Sequence, residues 1–560
     1  MAHRVGGDRH TVSLVRARRS PSVILWMALG IGVPLVFLAV FFAWPVLAIV
    51  SRGFLAEGPF FEVLLRPRTA RLVGLTIAQA AIASVVCVIV GLPIAHVLYR
   101  LRFRGRGILR AFVIVPFVMP TVVVGVAFRT LLREGGILGF LELDGTFPAI
   151  LLALVFFNIA VVVRTVGGTW EGLDSRQEDA ARVLGASPAR VFFTVTVPRL
   201  MPSIVAAASI VFLFCSTAFG VVLVLGGTRF GTIETEIWLL TTQFLDLRAA
   251  SVLSITQLVV VVALLAVAAR ARGTSTAQRR VLARASLRAP RRADAPAIAV
   301  TGVTAALLAL PILALLIRSF ESSEGWGFGN YVALAGTGTR NALTVPAWVA
   351  LGNSLAIAAQ ATLIAVIIGL AASLVLSRSP RTARGRRALE VFDASLMLPL
   401  GVSAVTLGFG FLVTLNQPPL DLRSSPVLVP IAQALVALPL VVRTILPVLR
   451  GIDSRLREAA AVLGASPARV LRDVDLSVVA RPALAASGLA FAVALGEFGA
   501  TTFLSRPDHP TLPVVIYRLI SLPGGDNFGM AIAASVILAA VTVIVIALVE
   551  RLRVGTIGAF

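Results

Sequence analysis

The stretch AARVLGASPARV at residues 180–191 returns at residues 459–470 as AAAVLGASPARV, with a single difference. The two copies are offset by 279 residues in a chain of 560, so each half of the protein carries the segment once. The likeness extends beyond the dodecamer, because residues 164–191 and 443–470 agree at 17 of 28 positions. The repeat predicts a duplicated architecture with one functional loop in each half.

The composition indicates a membrane protein. Hydrophobic residues make up 58% of the chain and charged residues 14%, whereas a soluble domain has about one quarter charged residues. Every basic residue is arginine, and the net charge is +23. In a membrane protein such charge reports orientation, so we expect no nucleic-acid partner. Cys87 and Cys215 lie in apolar stretches, which predicts packing and neither a disulfide framework nor a metal site.

Apolar runs long enough to cross a bilayer predict an all-α, polytopic membrane protein with about twelve transmembrane helices, six in each half. The runs of the first half cover 23–50, 72–99, 109–131, 147–168, 200–226 and 249–269. Those of the second half cover 296–317, 349–377, 389–414, 426–449, 482–504 and 528–549. The first run is too long for the core of a signal peptide, which predicts a retained span.

The domain organisation follows from this count. We expect a first repeat at 1–269, an arginine-rich cytoplasmic linker at 270–295 and a second repeat at 296–560. An even number of spans gives both halves the same orientation, which predicts two parallel repeats related by an axis along the membrane normal. If the N-terminus is cytoplasmic, 37 of the 50 arginines fall in cytoplasmic segments. The positive-inside rule therefore predicts that both termini lie in the cytoplasm.

The repeated segment predicts two short helices joined by a tight turn. The residues that can cap the first helix are Asp174 and Ser175, with Glu178 in the capping-box position. Gly185 is placed to leave that helix in a left-handed conformation, Ser187 to cap the next helix and Pro188 to occupy its first turn. The second copy offers Ser454, Gly464, Ser466 and Pro467 for the same roles.

The segment resembles the EAA loop of ATP-binding cassette importer permeases, whose pattern is an acid, two alanines, a glycine four residues later and a final proline. The first copy, within 174–198, presents Asp179, Ala180, Ala181 and Gly185. The second copy, within 453–477, presents Glu458, Ala459, Ala460 and Gly464, and departs from the pattern at Ser477 in place of the proline. The coupling residues expected from the resemblance are these together with Ser187, Pro188, Ser466 and Pro467.

The resemblance implies a set of partners. It implies two copies of a cytoplasmic ATP-binding cassette ATPase, one for each loop, an extracytoplasmic substrate-binding protein, and membrane lipids around a multi-pass protein of the bacterial inner membrane. Without lysine the chain cannot carry a standard phosphate-binding loop. We therefore expect no catalytic residue, no cofactor and no metal in this chain, and ATP hydrolysis in the partner.

Two further stretches, GVVLVLGGTRFGTIETEIW and ALGEFGATTFLSRPDHPTLPVVIYRLI, resemble the fused double-length permeases of thiamine and ferric-iron importers, and the likeness covers nearly the whole chain. It implies thiamine or ferric iron as the substrate. The alternative is a twelve-span secondary transporter of the major-facilitator type, suggested by the span count and by RLRFRGRG at 100–107. That stretch lacks the expected aspartate, and such a protein would leave the repeated loops unexplained.

Four residues within the apolar runs are candidates for the substrate pathway. Pro116 and Pro120 in the first half and Pro399 in the second predict bent third spans. These spans either line a pathway or have bends that only accommodate packing. Glu497 is placed within the eleventh span, where a carboxylate is costly and indicates a function. The alternative is that Glu497 caps or hydrogen-bonds a neighbouring helix.

Overall fold

The computed structural model describes residues 21–55, 60–174, 176–227, 229–273, 287–323, 325–378, 380, 382–418 and 420–553. These residues are almost all helical, which confirms the all-α class. Part of the expected linker, residues 274–286, lies outside the described residues, as do Ser175 and the arginines of the first 20 residues.

The first half consists of helices joined by short loops and turns. Its α-helices are Pro21–Leu38, Trp44–Leu55, Phe60–Leu64, Pro67–Arg100, Arg106–Val118, Thr121–Leu132, Phe147–Glu171, Arg176–Val183, Pro188–Val191, Val197–Ser216, Gly220–Gly226, Ile233–Thr242 and Leu247–Gly273. Ala39–Ala43 and Phe192–Thr196 are π-helical turns within longer helices, and Gly139–Leu141 is a 3₁₀ turn.

The second half repeats this order. Its α-helices are Ala295–Arg318, Gly329–Ala333, Ala347–Leu376, Ala383–Met397, Ala404–Thr414, Leu428–Arg450, Ser454–Val462, Pro467–Val470, Ser477–Gly496, Thr501–Leu504, Leu512–Ser521 and Gly525–Arg553. Leu471–Leu476 is a π-helical turn, and Arg292–Asp294, Thr339–Asn341 and Leu398–Gly401 are 3₁₀ turns. Two antiparallel hairpins pair Glu321–Ser322 with Gly325–Trp326 and Asn416–Gln417 with Leu420–Asp421.

The described residues contain 10 helices long and apolar enough to cross a membrane, or 12 if each of two bent pairs counts as one span. The bent pairs are the third span of each half. Arg106–Val118 meets Thr121–Leu132 at 102°, and Ala383–Gly401 meets Ala404–Thr414 at 96°. The higher count matches the expected twelve spans, and the predicted bends in the third spans are confirmed as full breaks.

The fifth and eleventh spans differ from the prediction. The expected limits were 200–226 and 482–504, but the helices run over Pro188–Ser216 and Pro467–Gly496. Each span therefore begins in the repeated loop and ends earlier than its hydropathy suggests. The apolar residues beyond the end form separate short helices. The prediction placed them in the span because a break inside a buried apolar stretch leaves the hydropathy unchanged.

The two halves interlock through their first spans. Pro21–Leu38 packs against Ala347–Leu376 of the second half, and Ala295–Arg318 packs against Pro67–Arg100 of the first half. Gly30 permits one of these contacts, since a Cβ there would lie 2.7 Å from Val375 Cγ2. The halves consequently form one packed core.

Candidate functional site: two elbows and a central junction

Each copy of the repeated segment forms an exposed bend, called here the first elbow (residues 174–198) and the second elbow (residues 453–477). Gly185 and Gly464 end the first helix of each elbow at φ +83° and +82°, as predicted. Among the described residues no atom lies within 4 Å of a Cβ added to either glycine, so the backbone conformation and not crowding calls for glycine. Ser187 and Ser466 cap the next helix through the backbone amide three residues on, at 3.3 and 3.4 Å.

The first helix of the second elbow is capped differently from the prediction, whereas in the first elbow Asp174, one of the two predicted caps, makes the capping contact. Asp453 is the cap of the second elbow, where its Oδ1 accepts from the amide of Arg455 at 3.0 Å, and Ser454 is the first helical residue. Asp174 makes the same 3.0 Å contact with the amide of Arg176 in the first elbow. The prediction for Ser454 was therefore wrong, because the carboxylate one residue earlier already reaches the free amide.

The residues of the loop pattern occupy equivalent surroundings in the two elbows. Exposed residues are Asp179, Ala180, Ser187 and Pro188 in the first and Glu458, Ala459, Ser466 and Pro467 in the second, whereas Ala181 and Ala460 are half-buried. A pair of large apolar residues precedes each glycine. Val183 and Leu184 are each 87% exposed, and Val462 and Leu463 are 87% and 86% exposed. The sequence analysis missed these pairs, although their presence in both copies was the available signal.

The breaks in the third and fifth spans of both halves meet at one place, called here the central junction (residues 119–121, 217–220, 402–404 and 497–501). Three contacts define it: Gly220 with Thr121 in the first half, Gly499 with Ala404 in the second half, and Gly496 with Pro120 between the halves. A Cβ on these glycines would lie 2.6 Å from Thr121 Oγ1, 3.0 Å from Ala404 Cβ and 3.3 Å from Pro120. Irregular backbone at membrane depth is tolerated where protein buries it or where it lines a cavity.

The three prolines lie at or near the central junction. Pro120 is the N-cap of Thr121–Leu132 and contacts Gly496 of the other half. Pro116 is buried in the last turn before the break, and Pro399 is buried in the 3₁₀ turn that replaces the end of its helix. They account for the bends, because proline removes a helical hydrogen bond.

Four aromatic rings pack around the central junction, two from each half. They are Phe219, Phe498, Trp238 and Tyr517. Phe219 stacks on Phe498 with ring centroids 5.4 Å apart, and Trp238 meets Tyr517 edge to face at 5.7 Å. Both pairs join positions related by the repeat offset of 279. The contacts of Phe219 with Trp238 at 6.4 Å and of Phe498 with Tyr517 at 5.6 Å complete the cluster.

Glu497 lies in the central junction and not inside a span. It is the residue after Ser477–Gly496, in an extended conformation. Its carboxylate accepts from the amides of Ala500 and Thr501 at 2.8 and 3.0 Å and from the hydroxyl of Thr501 at 2.5 Å. The predicted position within a continuous eleventh span was therefore wrong, because the helix ends at Gly496 and the carboxylate supports the start of the next short helix.

A second carboxylate, Glu234, was missed by the sequence analysis. It lies in the first turn of Ile233–Thr242 and is fully buried. Its Oε2 accepts from the hydroxyl of Ser403 at 2.9 Å, which joins the two halves, and its Oε1 has no hydrogen-bond partner within the described part of the chain. Gln257 lies beside it but donates to the carbonyl of Ser216 at 2.9 Å. The available signal was the stretch TIETEIW at 232–238, which places two carboxylates between apolar residues in a chain with few acids.

A cavity of about 210 Å³ borders the aromatic cluster at Tyr517. Arg129, Asp144 and Gly145 also line it. Asp144 and Gly145 come just before Phe147–Glu171, whose other end leads into the first elbow. The cavity therefore lies on the face of the molecule opposite the elbows.

Apolar spans in two repeated halves, a junction of broken helices at their centre and one exposed elbow per half define a membrane permease. The chain belongs to the family of inner membrane components of binding-protein-dependent transport systems, which matches residues 87–273 and 365–554. It is thus a permease of the ATP-binding cassette importers and a multi-pass inner membrane protein. Members of this family are the transport components of their systems. The match, once in each half, decides against a secondary transporter of the major-facilitator type.

Two of the relatives described here match most of this chain and share its double length, and a third matches a shorter part of it. The thiamine transport system permease protein ThiP of Brucella abortus (strain 2308) is 26% identical over 536 residues, which is 92% of this chain and 94% of the relative. The protein of that name in Escherichia coli (strain K12) is 28% identical over 463 residues, covering 79% and 82%. The sulfate transport system permease protein CysT of Escherichia coli (strain K12) is 31% identical over 215 residues, 37% of this chain and 78% of the relative.

Proposed function

We propose that this chain is the permease of a thiamine importer. The two halves enclose the pathway, each elbow holds one copy of a cytoplasmic ATP-binding cassette ATPase, and an extracytoplasmic binding protein delivers the substrate to the opposite face. The observation that carries the substrate assignment is the pair of buried carboxylates beside four aromatic rings in the central junction. The thiamine permeases among the relatives support the same assignment.

The exposed apolar pairs support docking at the elbows. Val183 and Leu184, and their equivalents Val462 and Leu463, leave more than four fifths of their surface in contact with solvent. Large apolar side chains side by side at a projecting tip are typical of a protein interface. Two equivalent tips fit two copies of one partner, since the elbows present the same residues in the same conformation.

The chemistry of the central junction supports a cationic aromatic substrate. In the described part of the chain neither Glu234 nor Glu497 forms an ion pair. Buried carboxylates without a cation favour a passing positive charge. The rings of Phe219, Trp238 and Tyr517 add stacking and cation–π attraction, which a flat organic cation can use. These rings favour thiamine over ferric iron, the second substrate considered.

The stacked rings also support a closed pathway in this conformation. Phe219 and Phe498 are 5% and 2% exposed and lie between the elbows and the cavity at Tyr517. Each follows the end of a fifth span, so a movement of Val197–Ser216 relative to Ser477–Gly496 separates the rings. We infer that ATP-driven movement of the elbows opens the pathway by this separation.

Reconstitution with the cognate ATPase and binding protein tests the proposal. Thiamine is expected to accumulate in proteoliposomes only when ATP and the binding protein are present. Accumulation of ferric ion without thiamine uptake would overturn the substrate. Failure of the ATPase to copurify with the permease would overturn docking at the elbows. Uptake driven by an ion gradient without ATP would show that the protein is a secondary transporter.

A further inference from the structure

A largely buried carboxylate at the base of the first elbow joins three elements. Glu178, on the first helix of the elbow, accepts from Arg100 Nη2 at 3.2 Å through Oε2. Its Oε1 accepts from the hydroxyl of Thr196 at 3.0 Å. Arg100 is the last residue of the second span, and Thr196 lies in the π-helical turn at the start of the fifth. The carboxylate therefore links the elbow to two spans, and its predicted capping-box contact with Ser175 lies outside the described residues.

The second half keeps the link but moves the acid to another element. Asp475, in the π-helical turn Leu471–Leu476, accepts from Arg457 Nε at 2.7 Å and from Arg378 Nη2 at 2.5 Å. Arg457 lies on the first helix of the second elbow. Arg378 follows the end of Ala347–Leu376, the counterpart of the second span.

The repeat offset of 279 shows that the two contacts occupy equivalent positions. Glu178 corresponds to Arg457, and Thr196 corresponds to Asp475. The acid has moved from the elbow helix to the fifth-span position. In both halves an arginine near the end of the second span of that half binds it, although Arg378 lies one residue before the position that the offset assigns to Arg100. The side chain of Asp475 is 0% exposed and that of Glu178 is 13% exposed. Buried charges of this kind depend strongly on their partners.

These contacts connect the elbows with the central junction. The helices Val197–Ser216 and Ser477–Gly496 follow the contacts directly and are each 20 residues long, which corresponds to about 30 Å. They end beside Phe219 and Phe498, the stacked rings. A rigid helix that is fixed at the elbow end transmits a displacement to its other end.

We propose that Glu178 and Asp475 are positioning residues that make each elbow move as one body with its fifth span, and that the two arrangements are interchangeable. The inference rests on the proposed docking of ATPase subunits at the elbows. It assigns the coupling of ATP hydrolysis to the contact beneath the elbow, separately from the binding surface at its tip.

The duplication supplies the test, because the arrangement of the first half can be rebuilt in the second. Arg457→Glu combined with Asp475→Thr places an acid on the elbow helix and a threonine on the fifth-span position, with Arg378 as the cation. Each single change is expected to lower thiamine uptake per ATP hydrolysed by about fivefold or more. The double variant is expected to recover most of this ratio.

Asp475→Asn serves as a milder variant, since it keeps the shape of the side chain and removes its charge. The matched control is Asp473→Asn in the same turn, because Asp473 is 49% exposed and its ion pair among the described residues is with its neighbour Arg472 at 2.7 Å. Membrane insertion, copurification of the ATPase and the ratio of uptake to hydrolysis are measured for all variants. We expect a lowered ratio in Asp475→Asn and an unchanged ratio in the control.

The outcomes separate this inference from the proposed function. If the ATPase copurifies with every variant and all ratios equal that of the wild type, the positioning role is wrong. It is also wrong if the double variant couples no better than the single ones. If the wild-type chain does not bind the ATPase at all, the docking proposal fails first. Where a single variant fails to insert, Asp475→Asn compared with Asp473→Asn decides the question.

Discussion

Phe219 and Phe498 occupy the same position in the two repeats, and their rings stack face to face with centroids 5.4 Å apart and planes 20° apart. Each residue follows the end of a long helix that begins in an elbow. The pair marks the pseudo-symmetry axis of the molecule, and the equivalent pair Trp238 and Tyr517 lies beside it. The place where the halves meet is therefore built from matching residues of the duplication.

The stacked rings give a first prediction. Phe219→Ala combined with Phe498→Ala removes the closing contact, and we expect leakage of a small organic cation from loaded proteoliposomes to rise severalfold without ATP. Buried Phe→Ala changes cost about 3–5 kcal/mol each, so insertion must be verified for the double variant. Phe140→Ala is the control, because Phe140 is 77% exposed. Unchanged leakage in an inserted double variant would show that the rings do not close the pathway.

The elbow glycines give a second prediction. Gly185→Val and Gly464→Val force a β-branched residue into the left-handed conformation, at a cost of about 1–2 kcal/mol for each position, and tilt the second part of the elbow. We expect loss of transport and weaker copurification of the ATPase with the chain still inserted. Gly302→Val is the control, since Gly302 is helical and an added Cβ there meets no atom of the described residues within 4 Å. Normal transport by the double variant would contradict the role of the elbows in docking.

The apolar tips give a third prediction. Leu184→Ser together with Leu463→Ser removes exposed apolar surface from both elbows without touching the core, so the stability of the permease should stay the same. We expect the ATPase to dissociate more readily during purification, with the single variants intermediate, because each elbow holds one copy. Leu65→Ser is the control, because Leu65 is an exposed leucine outside the elbows, with 77% of its surface accessible. Equal recovery of the ATPase with all variants would place the docking surface elsewhere.

The buried carboxylates give a fourth prediction. Glu234→Gln retains an acceptor for Ser403, so we expect lower thiamine uptake with little change in thermal stability. Glu497→Gln loses an acceptor for the backbone amides of Ala500 and Thr501, so we expect both uptake and stability to fall. Glu62→Gln is the control, since the side chain of Glu62 is 54% exposed. Wild-type uptake in both variants would show that the two carboxylates do not act on the substrate pathway.

Orientation gives a fifth prediction. Reporters inserted within residues 270–294 should lie in the cytoplasm, and those within 319–345 outside it, because the arginines of the first segment resist translocation. The activity of alkaline phosphatase and the fluorescence of a cytoplasmic reporter measure the two positions. An external position for residues 270–294 would invert the topology and place the elbows on the side without ATP.

Sequence periodicity and repetition were sufficient to predict much of the architecture of the protein. The class, the two repeats and the turn at Gly185 and Gly464 depend on hydropathy and on local backbone preferences, which neighbouring residues determine. The bends in the third spans also followed from Pro116, Pro120 and Pro399, because proline acts on its own helix. The likeness to importer permeases was carried by contiguous residues, and the family match confirmed it.

Tertiary structure decided where the helices break and what meets at the breaks. The end of the fifth spans at Ser216 and Gly496 lies inside apolar sequence, so hydropathy alone could not place it. The contact of Glu234 with Ser403 and the stacking of Phe219 on Phe498 join residues that are far apart in the chain. The exchange of the acid between Glu178 and Asp475 is visible only when both elbows are folded. Such contacts arise from packing between helices. Local propensity and hydropathy act within one helix and do not determine which helices become neighbours.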